Sequence, residues 1–196
     1  MSDRGLDHAS ISQRRNSLMN FYLKLDSVVI NKARQIKLLM MDVDGVLCDG
    51  LLHYHPNRET PSKNFFVRDG LGLVMIHQMG LQTAIITGRD DEVVAKRAEE
   101  LKINHYVAGV QDKSAAWHRL SEQTNFKADE CAYIADDLVD LPILRKVGLA
   151  VAVQDAHPML FPYCDYTTQA QGGKGAVREV CDILLYAQDY LDALLK

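Results

Sequence analysis

The chain has 196 residues, 47% of them hydrophobic, with a formal net charge of −4 and a pI near 5.9. That length suits one domain able to bury its own core, and the acidic balance excludes a global positive field that would draw the chain to nucleic acid or an anionic membrane. No apolar run approaches the roughly 20 residues that span a bilayer, and residues 1–20 hold no continuous apolar stretch of the secretory kind, so a cytoplasmic protein with a flexible polar N-terminal segment is expected.

Residues 21–33 (FYLKLDSVVINKA) place apolar side chains at mixed helical spacing and predict a helix over one edge of the domain. From position 36 a new rhythm starts. Short apolar runs (IKLLMMDVD, LQTAIITG, NHYVAG, CAYIAD, LAVAV) alternate with amphipathic stretches at 71–79, 91–101, 114–123, 138–147 and 176–195. This alternation predicts a single α/β domain over 1–196, a doubly wound Rossmann-like parallel sheet between helices. Residues 50–67 break the rhythm with two semi-extended arms around Pro56-Asn57 and predict a projecting β-hairpin, a flap or assembly arm. Residues 172–175 (GGKG) form the one glycine cluster and predict a loop ahead of a C-terminal helix; without a strand and a Walker lysine pattern before them they are weak evidence for nucleotide binding.

Cys48, Cys131, Cys164 and Cys181 are widely spaced and form no C-x-x-C pair, so they read as reduced thiols. His53 and His55 alternate as on one strand face but have no third ligand nearby.

Ligands of an open α/β sheet bind beyond the carboxyl ends of its strands. Here the ends of the runs are polar: Asp42-Val43-Asp44-Gly45, then Thr87-Gly88-Arg89, then Asp112-Lys113, then Asp136-Asp137 with Asp140 beyond. Asp42 and Asp44, two apart on an extended segment, face the same side, and Asp136 from another strand would join them. Three carboxylates in one small volume repel each other, and a hard divalent cation relieves that repulsion; Mg²⁺ is the natural occupant. Lys113 starts a helix, an unfavourable place for a cation unless an anion lies beside it.

The order D-x-D-G, T-G-R, D-K and D-D-x-x-D resembles the four motifs of the haloacid dehalogenase superfamily across residues 36–181 or so. The segments DVDGVLCDG, FVRDGLG, AIITGR, VGLAVAV and GGKGAVREV are similar to its capless branch, the 3-deoxy-D-manno-octulosonate 8-phosphate (KDO 8-phosphate) phosphatases. The resemblance implies a magnesium-dependent phosphatase of a small phosphorylated sugar acid in lipopolysaccharide precursor synthesis, with no large cap domain. It implies Asp42 as nucleophile and metal ligand, and Asp44 as acid/base that also lends magnesium its backbone carbonyl. Asp136 is the remaining ligand, Thr87 the hydroxyl holding the phosphoryl group, and Lys113 the neutralising cation. It also implies a sugar-acid pocket of Arg68, Asp69, Gly70, Gly88, Arg89 and Arg97, and a homotetramer in which 172–175 and Arg178 reach a neighbour's site. One departure stands out: Ala135 occupies a position usually held by glycine. Two alternatives remain open at this level, a phosphatase for a nine-carbon sialic-acid-type phosphate and a phospho-accepting signalling receiver, which would have no need of Asp44.

Overall fold

The computed structural model describes residues 24–57 and 60–190. The expected N-terminal segment 1–20 and the last residues of the 176–195 stretch lie outside them.

Asp26 caps helix α1 (Ser27–Ala33) by accepting a hydrogen bond from the Val28 N–H at 2.8 Å. This is the C-terminal part of the helix expected at 21–33. Strands β1 (Leu38–Met41), β2 (Gln82–Ile86), β3 (His105–Val107), β4 (Cys131–Ala135) and β5 (Leu149–Ala152) are the five apolar runs, each trimmed to its centre. A two-residue strand β6 (Tyr166–Thr167), not expected from the sequence, completes the sheet. All pairings are parallel, in the order β3-β2-β1-β4-β5-β6. Every residue of β1, β4 and β5 is buried, as a sheet covered on both faces requires.

The helices are α2 (Val67–Gln78), α3 (Glu92–Glu100), α4 (Lys113–Thr124), α5 (Leu141–Leu144) and α6 (Ala176–Ala187). Helix α2 starts four residues before the expected amphipathic stretch. The 138–147 stretch becomes a 3₁₀ turn, Leu138–Asp140, running into the four-residue α5, because Pro142 suits a first helical turn and no interior position. Helix α6 buries eight side chains, Val180, Ile183 and Leu184 among them, and ends before 195, where Asp189 takes a left-handed φ of 62°.

Between β1 and α2 the described residues hold a hairpin and no cap domain. It is slighter than expected: His53 and Ser62 exchange backbone hydrogen bonds at 3.0 and 3.2 Å, Cys48 bridges Phe65, and no longer ladder forms.

Candidate active site

The chain crosses from one side of the sheet to the other at β1, whose neighbours are β2 and β4, so the crevice expected of this topology opens beyond Met41, Ile86 and Ala135. Asp42 follows β1 directly, and its N–H still bonds the Ile134 carbonyl at 3.1 Å. The residue is 7% exposed; Oδ1 accepts from the Val43 N–H at 2.7 Å and Oδ2 lies 2.9 Å from Lys113 Nζ.

Lys113 is the first residue of α4, with Asp112 as its N-cap accepting from the Ala115 N–H at 3.0 Å. Two anions resolve the misplaced cation at this helix start: Nζ touches Asp42 and donates to Asp140 Oδ1 at 2.6 Å. Burial opposes the lysine's charge, but Asp42 and Asp140 outweigh it and hold the pKa above its ordinary value.

Asp140 Oδ1 also accepts from the buried Tyr133 hydroxyl at 2.6 Å, whereas its buried Oδ2 has no hydrogen-bond partner. One oxygen from each of Asp42, Asp136 and Asp140 lies within 4.8 Å of the others. Burial, and then charge from its neighbours, pushes Asp136 up to about 7 and Asp140 to about 6, and burial raises Asp42 despite Lys113. Carboxyls raised in this way share protons unless a cation supplies the missing charge. An all-oxygen donor set with one unpartnered buried oxygen fits a hard divalent ion such as Mg²⁺.

The third side chain of this cluster is thus Asp140 and not Asp44. Gly45, at φ 82°, turns the chain just after Asp44, and a Cβ there would lie 2.0 Å from Asp136 Oδ2, so only glycine fits between the two acidic segments. Asp44 points instead at Lys63, whose Nζ lies 2.7 Å from Oδ1 and 2.9 Å from Oδ2, and at Arg89, whose Nε is 3.4 Å from Oδ2. The Asp44 side chain is thus held away from the acidic cluster by two cations. Thr87, 2% exposed, follows β2 directly, and its Oγ1 accepts from the Arg89 N–H at 3.4 Å. Gly88 follows with no close contact on its Cβ side except the Val110 carbonyl at 3.5 Å. Ala135 is fully buried at the end of β4 and accepts from the Val153 N–H, so its methyl is accommodated.

The expected sugar pocket divides. Arg89 stands at the crevice, its side chain 54% exposed. Arg68 is exposed over the Phe66 ring and lines a 250 Å³ cleft with Lys174 and Arg178. Asp69 and Gly70, in contrast, are buried and offer no face to a sugar in this chain. Asp69 accepts from the Arg178 N–H at 2.7 Å and the Gly175 N–H at 3.3 Å, capping α6 from across the helix interface, and a Cβ on Gly70 would lie 2.5 Å from Arg97 Nη2. Arg97 packs behind α2, paired with Glu100 and stacked on Phe65. The glycine loop is held from within its own subunit. It sits on its own chain, Gly173 N–H bonding the Val46 carbonyl at 2.8 Å and Gly172 N–H bonding Asp155 at 2.9 Å.

Sequence reasoning assigned no role to Asp140, Tyr133, Lys63 or Asp91. For Asp140 a signal existed, the spacing of four from Asp136 in D-D-x-x-D. For Lys63 none did, because its partners are 19 and 28 positions away.

A profile of the haloacid dehalogenase-like hydrolases matches residues 108–180. The chain is 46% identical to the Escherichia coli K12 KDO 8-phosphate phosphatase KdsC over 182 residues, 93% of this chain and 96% of that protein. The crystal structure of the Yersinia pestis KDO 8-phosphate phosphatase superposes with a TM-score of 0.82 at 46% identity, covering 85% of this chain and 89% of that one. The Moraxella catarrhalis enzyme, solved in complex with magnesium, phosphate and KDO, superposes with a TM-score of 0.82 at 43% identity over 85% of this chain and 95% of that one. Sequence, topology and the acidic cluster agree: the chain belongs to the KDO 8-phosphate phosphatase family of haloacid dehalogenase-like hydrolases.

Proposed function

We propose that this protein is a Mg²⁺-dependent phosphatase that hydrolyses KDO 8-phosphate to KDO and phosphate in lipopolysaccharide precursor synthesis, through a phosphoaspartate on Asp42. The carrying observation is the contact of Asp42 Oδ2 with Lys113 Nζ at 2.9 Å, at the edge of the Asp42, Asp136 and Asp140 cluster. Relatives whose names state this activity cover nearly the whole chain.

Asp42, Asp136 and the Asp44 carbonyl would hold the metal, with Asp140 beside them; when bound, Mg²⁺ offsets charge on the phosphoryl oxygens and on the attacking carboxylate. Asp42 attacks phosphorus in line, forming an Asp42 O–P bond as the P–O bond to the sugar breaks. Lys113 neutralises charge on the transferring group, while Thr87 Oγ1 and the Gly88 backbone orient its oxygens. Asp44 gives its proton to the departing sugar oxygen, then takes one from the water that attacks the acyl phosphate, restoring Asp42 and releasing phosphate. Asp140 and Tyr133 hold Lys113 in place. Arg89 and Arg68 are the arginines open to the carboxylate of the sugar acid, since their guanidinium forks suit it.

The same reading includes one domain over 1–196 with the flap at 50–67, a homotetramer assembled through the flaps, and a cytoplasmic location. Four thiols, all free, favour a reducing compartment. Exposed Leu51, Tyr54, Val67 and Leu71 on and beside the flap favour assembly there.

Phosphate release should be measured over KDO 8-phosphate and a nine-carbon sialic-acid-type phosphate, with and without EDTA, beside Asp42→Asn. The expected result is metal-dependent turnover of KDO 8-phosphate, at least about 100-fold weaker in the variant. Turnover that survives EDTA, or an Asp42→Asn enzyme of undiminished activity, overturns the mechanism.

A further inference from the structure

Lys63 is a charged residue in an unexpected place. It lies on the returning arm of a flap whose neighbours Asn64, Tyr54 and Leu51 are exposed, yet its side chain is 0% accessible. An ammonium withdrawn from water so completely requires anionic partners. It has two, on different elements: both oxygens of Asp44, at 2.7 and 2.9 Å, and Oδ2 of Asp91, at 2.7 Å.

Asp91 strengthens the case. It occupies the N-cap of α3, where an aspartate ordinarily accepts a hydrogen bond from its own helix, but its side chain makes no such bond. Its carboxylate is turned to Lys63 instead. A clamp fastening the flap to the body would be complete with the Lys63 and Asp91 pair alone. The ammonium reaches beyond that pair to the carboxylate that moves the proton.

We infer that Lys63 is a positioning residue for Asp44: anchored by Asp91, it holds the acid/base in the rotamer that reaches the leaving oxygen. The inference rests on the acid/base role of Asp44 proposed above. The proton moves from Asp44 to the sugar oxygen as the P–O bond breaks and the Asp42 O–P bond forms, and the charge left on Asp44 faces Nζ. Lys63 rides on the flap, joined there by the His53 and Ser62 pairing and the Cys48 and Phe65 bridge, so seating the flap and readying the acid are one event.

The test exploits the leaving group. An alkyl phosphate such as KDO 8-phosphate needs its departing oxygen protonated, whereas p-nitrophenyl phosphate releases a stabilised phenolate without help. Because kcat/KM reports steps up to departure of the leaving group, the ratio of the two values reads the acid's contribution. Lys63→Met is expected to lower kcat/KM for the sugar phosphate by about 100-fold and for p-nitrophenyl phosphate by less than about threefold, the pattern of Asp44→Asn. Equal losses on both substrates, or no loss, overturn the inference. Should Lys63→Met fail to fold, as judged by circular dichroism, Asp91→Asn decides: it leaves Lys63 in place and should shift the ratio in the same direction by a smaller factor, and an unchanged ratio overturns the inference. Failure of the underlying reading looks different, since wild-type enzyme would then show no metal-dependent release from the sugar phosphate at all.

Discussion

Burial pushes the Asp69 carboxyl up to about 6, against the pull of the Arg178 and Gly175 N–H groups and of the arginines nearby. Because the folded value exceeds the unfolded one, the folded state holds this proton more tightly. Asp69 therefore contributes most to stability below about pH 4 and loses that contribution as pH rises through about 6. Thermal midpoints of wild type and Asp69→Asn, compared from pH 4 to pH 7, should show the variant gaining on wild type by about 3 kcal/mol across that window, on top of a constant offset from the weakened cap of α6. A difference that does not vary with pH would show that Asp69 stays ionised in the fold. The comparison also separates two kinds of buried acid. Asp69 accepts backbone N–H groups and closes a helix end, whereas Asp42, Asp136 and Asp140 face one another with an oxygen to spare.

At the scale of elements, the acidic turn after β1 is held by a loop more than a hundred residues away. Gly172 passes so close that a Cβ on it would lie 1.7 Å from the Gly45 carbonyl oxygen, and Gly173 bonds Val46. Backbone against backbone leaves no flexible side chain to yield. Gly172→Ala should therefore displace the turn that carries Asp44, costing about 1–3 kcal/mol in thermal or urea unfolding and lowering kcat more than a surface substitution of equal stability cost. An alanine variant of wild-type stability and rate would show that the loop can lift away freely. The elements themselves were mostly legible in the chain. Five apolar runs became strands because each is apolar and bounded by turn residues, β1, β4 and β5 being buried throughout and the three-residue β3 only partly. The two-residue β6 was missed because Tyr166–Thr167 is too short to carry a period, and α5 shrank because Pro142 admits only a first turn.

For the whole molecule, four exposed apolar side chains lie on the flap and the start of α2: Leu51, Tyr54, Val67 and Leu71 are 58%, 76%, 78% and 52% exposed. Apolar side chains so exposed are costly to leave in water, which accords with the assembly through the flap proposed above. Since Lys63 lies on that same flap, loss of assembly should reduce turnover. The double variant Leu51→Glu, Tyr54→Glu is expected to sediment as a monomer and to lose most of its activity while keeping its circular dichroism spectrum. Full activity in a demonstrably monomeric preparation would break the link between assembly and catalysis.

From the chain alone came the parallel sheet and the polar ends of its strands, where Asp42, Asp44, Thr87, Lys113 and Asp136 stand, because strand periodicity and the rule that ligands bind beyond strand ends are local or topological signals; the roles proposed for these residues came from the family resemblance. What only the tertiary structure decided was which charges meet. Asp140 joined the cluster in place of the Asp44 side chain, Asp69 and Gly70 went to the helix interface, and Lys63 found Asp44 and Asp91 from the flap. Apart from the D-D-x-x-D spacing that hinted at Asp140, such pairings depend on how separate segments pack, and no spacing along the chain encodes a distance of a few ångströms between residues far apart in sequence.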